Sequence, residues 1–119
     1  MSEIRVVGLF RMKDPDIGVP LLEQIASIAS DTEGVEVWEA FSDEGSDLVY
    51  LNERFDSEES YQRYERAVDA QGLRPKVGEA FELEHLLLLS PLGNERLRAD
   101  LDALGTVELQ MVASTDPAQ

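Results

Sequence analysis

The stretch from 48 to 66, LVYLNERF followed at once by DSEESYQRYER, leaves this chain the least conformational freedom. Up to Phe55 it alternates with period two and is rich in β-branched and aromatic residues, as a half-buried strand does. From Asp56 onward the spacing turns helical, with Tyr61, Tyr64, Ala67 and Val68 on one stripe. Asp56 with Glu59 has the spacing of a capping box, so the strand runs into a capped helix without a spacer. Upstream, VEVWEAF (35–41) is a second β-rich run, separated from the first only by SDEGSD. Gly45 supplies a positive-φ position there, and the two runs read as a hairpin. A turn centred on Glu44 and Gly45 pairs Val37 with Asn52 and Trp38 with Leu51.

The flanks complete the pattern. IRVVGLFRM (4–12) places Ile4, Val6, Gly8, Phe10 and Met12 on one face of a strand and Arg5, Val7, Leu9 and Arg11 on the other. KDPD breaks it. From about Ile17, Leu21, Leu22, Ile25, Ile28 and Ala29 recur at helical spacing as far as Asp31, with Pro20 expected in the first turn and Gly34 as a stop. After the second helix, limited by Gly72 or Pro75, KVGEA (76–80) fits more than one state and FELEHLLLL (81–89) is a strand. A short helix over 94–104 carries Leu97, Leu101 and Leu104. Gly105 ends it, VELQMVA (107–113) forms a last strand, and STDPAQ is a loose tail.

The order β-α-β-β-α-β with an added α-β defines an α+β fold of ferredoxin-like type. It is one domain over 1–114, with 115–119 disordered. Two crossovers of the same hand put both helices on one face of the sheet. Every strand nevertheless has bulky apolar residues on both faces. A second copy is the simplest cover for the other face, which predicts a homodimeric α+β barrel burying on the order of 2,000 Å².

Composition narrows the function classes. Ten Lys plus Arg against 25 Asp plus Glu give a net charge of −15. Nucleic acid, whose binding rests on neutralised phosphates, is not an expected partner, and neither is an anionic membrane. No cysteine is present, which removes disulfides, thiolate metal sites and cysteine nucleophiles together. No apolar run approaches a membrane span, and MSEIRVV has none of the features of a secretion signal, so a cytoplasmic protein is expected.

The strand Y-L-N-E-R-F leading into D-S-E-E-S-Y, within this order of elements, resembles the antibiotic biosynthesis monooxygenase-like family over roughly residues 4–90. Stress-responsive and EthD-like dimeric barrels share the element pattern. The resemblance implies a pocket between helices and sheet in each protomer. It also implies either cofactor-free oxygenation of quinols and polycyclic aromatics or, in some relatives, haem degradation. The helix after the junction commonly carries pocket-facing His or Trp residues in that family. Aligned on Glu53, Phe55 and Ser57, those positions fall on Tyr64 and near Asp69, and neither is histidine. Haem iron needs such an axial ligand, so no cofactor is expected.

The residues able to do chemistry are few. No phosphate loop, dinucleotide fingerprint, H-E-x-x-H or G-x-S-x-G occurs. The single His85 lies inside an apolar strand, as a structural residue or a base. By alternation Glu82 and Glu84 fall on the opposite face from it, which argues against a local metal cluster. Asn52 is a type depleted in strands, and buried it would need partners for its amide. Glu53 fits a buried carboxylate or an edge solubiliser equally. Trp38, Tyr61 and Tyr64 are candidates for core or pocket wall. For an oxygenase, Tyr64, Trp38 and Asn52 would bind and polarise a phenol, and His85 would accept its proton. A non-catalytic binding module and a purely structural dimer with a filled pocket are the competing readings.

Overall fold

The computed structural model describes residues 3–43, 45–89 and 95–108. The elements follow in the order β1 (Ile4–Met12), α1 (Pro15–Ser30), β2 (Val35–Ser42), β3 (Leu48–Phe55), α2 (Glu58–Ala70), α3 (Arg74–Ala80), β4 (Phe81–Leu88), α4 (Glu95–Asp102) and β5 (Val107–Glu108). The strands form one sheet in the order β2-β3-β1-β4-β5. β1 runs antiparallel to β3 and β4, β2 antiparallel to β3, and β5 parallel to β4. This is the ferredoxin-like α+β arrangement, extended at the β4 edge.

Alternation sorts the strands into two faces. The inner face carries Ile4 and Val6 of β1, Val49 and Phe55 of β3, and Phe81 and Leu88 of β4, all buried. Leu21, Ile25, Ile28 and Ala29 of α1 and Tyr61, Tyr64 and Val68 of α2 pack into the same core. The outer face bears Val7, Leu9, Leu48 and Leu87, half-buried, with Tyr50 and Phe41 exposed.

Several local details differ from the sequence expectation. α1 starts at Pro15, capped by the Asp14 side chain, which accepts from the Asp16 amide. Pro15 therefore takes the first-turn position, and Pro20 sits in the helix interior instead. The amide that Pro20 lacks would have served the carbonyl of Asp16, an exposed residue that water can satisfy. The β2–β3 pairing is offset by two residues, with Trp38 opposite Glu53 and Ala40 opposite Leu51. The hairpin closes from Asp43 to Leu48, the Asp43 amide donating to the Leu48 carbonyl, and the Ser46 amide donates back to the Asp43 carbonyl, so the expected turn lies within a longer loop. An offset of two keeps every side chain on its face and changes only its partner. KVGEA belongs to α3, since Pro75 in the first turn begins a helix there rather than ending one. Of the last strand, Val107 and Glu108 are described, and 109–113 and the tail lie outside the described residues, as do 90–94.

The α2 cap is Ser57, not Asp56. The Ser57 hydroxyl accepts from the Ser60 amide at 3.2 Å, while Asp56 accepts from the hydroxyls of both Ser57 and Ser60. Those hydrogen bonds, from Ser60 first, hold the Asp56 carboxyl below its ordinary pKa. The Asp56 amide in turn donates to the Gly34 carbonyl at 2.9 Å. Gly34 has φ +92°, and a Cβ there would run into the Ser60 side chain and Asp56. The start of α2 is thus seated on the turn before β2.

Gly34 and Gly72 both adopt positive φ, but a Cβ at Gly72 would meet open space. Gly72→Ala should cost about 1 kcal/mol of backbone strain. Gly34→Ala should cost clearly more, read as a larger drop in melting temperature. Equal losses would show that the Gly34–Ser60 approach does not matter.

Candidate functional site

Helices α1 to α4 do not close completely over the inner face. They leave a cavity of about 1010 Å³, at the upper end of small-molecule sites. Its walls are mainly apolar: Val6 and Phe10 of β1, Leu22 and Ile25 of α1, Val49 and Leu51 of β3, Phe81, Leu83 and Leu86 of β4, and Leu97 and Leu101 of α4. Trp38, Tyr61, Tyr64 and Glu53 join them, and charged residues of α2, α3 and α4 line its outer part.

Glu53 is the residue that does not belong in such surroundings. It shares a strand face with Phe55 and Val49 and is only 6% exposed. Trp38 stands directly across from it on β2, and α2 brings Tyr64 above it. The Trp38 indole Nε1 donates to the Tyr64 hydroxyl at 2.9 Å, and both polar groups lie near enough to the Glu53 carboxyl to favour its ionised form. Phe55 buttresses the tyrosines, its ring 4.9 Å from that of Tyr61 and 5.3 Å from that of Tyr64.

Electrostatics follow from this placement. Burial, reinforced by the nearby charge of Glu65, pushes the Glu53 pKa up to about 8, against the opposing effect of the Tyr64 and Trp38 polar groups. Burial likewise raises the Tyr64 and Tyr61 phenols, with Glu53 and Glu65 adding to the effect. At neutral pH the site therefore holds a largely protonated carboxyl between two neutral phenols. Such a group can donate a hydrogen bond or, once ionised, accept a proton as a base stronger than an ordinary carboxylate.

The structure brings Tyr64, Tyr61 and Trp38 together around the cavity. Asn52 and His85 lie on the outer face instead. Asn52 pairs with Val7 and Glu39 and is exposed, so it cannot partner the Tyr64 hydroxyl. His85 pairs with Leu9 and is also exposed, and neither residue reaches a ligand in the cavity. A register shift places His85 opposite Leu9 and Leu83 opposite Phe10, leaving Glu84 as the extra residue. This bulge turns Phe81, Leu83, Leu86 and Leu88 all inward, which strict alternation cannot do, and moves His85 outward. It also puts Glu82 on the same face as His85, where strict alternation separates them. Glu84 instead accepts from Arg11 Nε at 2.6 Å. Among the described residues no group of three or more His, Asp or Glu side chains is placed to hold a metal ion, and no helix is long and apolar enough to cross a membrane.

Glu53 is the residue that reading the sequence left open. Its signal was its parity with Phe55 and Val49, which commits it to the apolar face.

A raised pKa in the folded state makes a pH prediction. The folded chain keeps a proton on Glu53 that the unfolded chain loses near its ordinary value of 4.5. The resulting stabilisation is complete below that value and is lost as pH rises through about 8. Glu53→Gln cannot titrate, so its stability relative to the parent protein should climb across this window and level off above it. Parallel melting-temperature curves from acid to alkaline pH would show that Glu53 is not buried in the way described.

No family model matches the sequence, and no curated protein matches it. Solved structures do. MupZ from Pseudomonas fluorescens superposes with a TM-score of 0.80 at 8% identity, covering 100% of this chain and 98% of that one. SnoaB from Streptomyces nogalater, a cofactor-independent oxygenase, gives 0.65 at 10% identity over 79% of this chain and 97% of its own. A proposed antibiotic biosynthesis monooxygenase from Chloroflexus aurantiacus gives 0.55 at 21% identity, over 78% and 96%. The match to MupZ runs the whole chain, α4 and β5 included. The fold of this chain is that of the antibiotic biosynthesis monooxygenase-like proteins.

Proposed function

We propose that this chain is a cofactor-independent, monooxygenase-like enzyme that oxidises a phenolic or quinol-type aromatic compound in the cavity, with Glu53 as its proton acceptor. The observation that carries the reading is a buried, strengthened carboxyl against Tyr64 and Trp38 in an otherwise apolar cavity of polycyclic size. SnoaB, a cofactor-independent oxygenase of the same fold, is consistent with it.

The chemistry asks for little beyond this. Ionised Glu53 takes the hydroxyl proton of the bound phenol, with Tyr64, its hydroxyl oxygen held by the Trp38 N–H, donating toward the developing phenolate. The phenolate transfers one electron to dioxygen. The ring radical and superoxide combine at a ring carbon bearing hydrogen, and the resulting hydroperoxide takes up a proton. Loss of water from it leaves a carbonyl, so a phenol and O₂ become a quinone and H₂O. Apolar walls keep water from the radical pair and concentrate dioxygen. The role first given to His85 passes to Glu53, and that of Asn52 to Tyr64.

A second reading is favoured by the same carboxyl. Largely neutral at pH 7, Glu53 is also a hydrogen-bond donor suited to holding a ligand oxygen without reacting, as in a binding module.

Oxygen uptake with a panel of naphthols and hydroquinones separates the two. Turnover should rise with pH to a plateau above about 8, following ionised Glu53. Glu53→Gln should lower it by roughly 10²-fold, the usual scale for a lost general base. Binding of the same compounds, followed through the fluorescence of Trp38, with no uptake in any case would leave the binding module standing.

We also propose that the outer face of the sheet is covered by a second copy of the chain. Phe41 is 53% exposed and Tyr50 44%, beside the half-buried Val7, Leu9 and Leu87. Such an apolar surface is costly to leave in water. Sedimentation at micromolar concentration should give a dimer that persists in high salt, and Phe41→Glu should shift it toward monomer. A parent protein that sediments as a monomer would remove this assembly.

A further inference from the structure

The positive charges of this acidic chain are not spread evenly. Three of its ten basic side chains, Arg66, Arg74 and Arg96, line the one large cavity, and all three are exposed at its outer part. Arg74 is occupied: its guanidinium is hydrogen-bonded to Asp69 at 2.7 Å and to Glu65. Arg66 of α2 and Arg96 of α4 have no ion pair or hydrogen bond among the described residues. Among the described residues the remaining acid at this rim, Asp100, forms no ion pair either. Arginines and acids balance at the rim, but Glu65 and Asp69 are both held by Arg74, which leaves the guanidinium groups of Arg66 and Arg96 with their donors uncommitted.

The inner end of the cavity has the opposite character. Its one ionisable acid, Glu53, is buried among Trp38, Tyr64 and apolar walls, with no basic residue beside it. A negative group placed there would lose its hydration with no counter-charge to offset the loss, and would disfavour the ionised form of Glu53 that the proposed reaction needs. The same group at the rim meets guanidinium groups, whose planar donors match a carboxylate in paired hydrogen bonds.

Resting on the proposed function, we infer that Arg66 and Arg96 form a carboxylate subsite at the mouth of the cavity. The substrate is accordingly an elongated aromatic acid, with its hydroxyl turned inward to Glu53 and Tyr64 and its carboxylate outward. The two ends of the site thereby set the orientation of the ring between them. The attraction at the mouth is screened by salt, whereas the apolar contacts deeper in are not.

Two compounds that differ only in the carboxylate test this: 2-naphthol and 6-hydroxy-2-naphthoate, titrated calorimetrically against the intact protein at neutral pH. The naphthoate should bind about tenfold more tightly, as one charge-assisted contact provides, and high salt should shrink that preference. In the double variant R66Q/R96Q the ratio of the two affinities should fall to near one. Retained naphthol binding shows that the variant is folded. Naphthol binding as tightly as the naphthoate, or a preference unchanged in the double variant, overturns the carboxylate subsite and leaves the proposed function in place. Failure of both compounds to bind the parent protein overturns the proposed function, and this inference with it.

Discussion

Glu53 is a carboxyl placed where carboxyls are expensive. Moving an ionised acid from water into an apolar interior costs several kcal/mol even after relaxation, and a protein meets that cost by pairing the charge or by neutralising it. Among the described residues no basic side chain acts on Glu53, and neutralisation is the route taken. The neighbouring structure is what makes this tolerable. Trp38 reaches it because β2 and β3 pair with the two residues opposite each other, and Tyr64 because α2 begins where it does. The start of α2 is fixed in turn by Ser57, Asp56 and the glycine at 34 that lets Ser60 come close. A local cap and a cross-strand register thus converge on Glu53 beside the hydrogen-bonded pair of Trp38 and Tyr64.

The outer ring of charge is organised around the same point. Glu65 is the nearest carboxylate acting on Glu53, and its effect is to disfavour ionisation there. Arg74 binds Glu65 and Asp69 together, so part of that negative charge is compensated before it reaches the cavity. The surplus of acids elsewhere counts for less, since exposed charges beyond about 10 Å are screened at ordinary salt. Local groups, not the net charge of −15, set the behaviour of the site.

Most of the fold is legible in the sequence because it rests on periodicity. Alternation gives β1, β2, β3 and β4, helical spacing gives α1 and α2, and the order of elements gives the sheet. What escapes such reading is whatever shifts a strand by a residue or two. An offset of two in the hairpin leaves every face intact but exchanges Leu51 for Glu53 opposite Trp38, so the tryptophan is rightly placed in the pocket beside the wrong neighbour. In β4 the bulge at Glu84 breaks the count outright. Leu86 and Leu88 turn inward by it while His85 and Leu87 turn outward, and placing two leucines inside outweighs one disturbed rung of the ladder and the exposure of a histidine that an aqueous face accommodates readily. His85 therefore drops out of the site, and Asn52, read on parity alone, belongs on the outer face from the start. The cap moves from Asp56 to Ser57 because either residue can cap, and only the contact with the Gly34 turn decides between them.

The shifted acidity bears on whether a carboxylate can serve as base to a phenol at all. An exposed glutamate near 4.5 faces a phenol near 10, and each unit of that gap is about 1.4 kcal/mol of uphill proton transfer. At about 8, Glu53 closes more than half of it. The cost is occupancy, since roughly a tenth of the molecules carry the ionised form at pH 7. General-base catalysis rewards a group whose pKa approaches the working pH, because base strength and the fraction ionised trade against each other. A histidine would reach that range without burial. A glutamate reaches it only in a dry site, the same condition that an electron-rich ring and dioxygen need for reacting with each other in preference to water. A buried glutamate can therefore reach the base strength that a histidine has without burial.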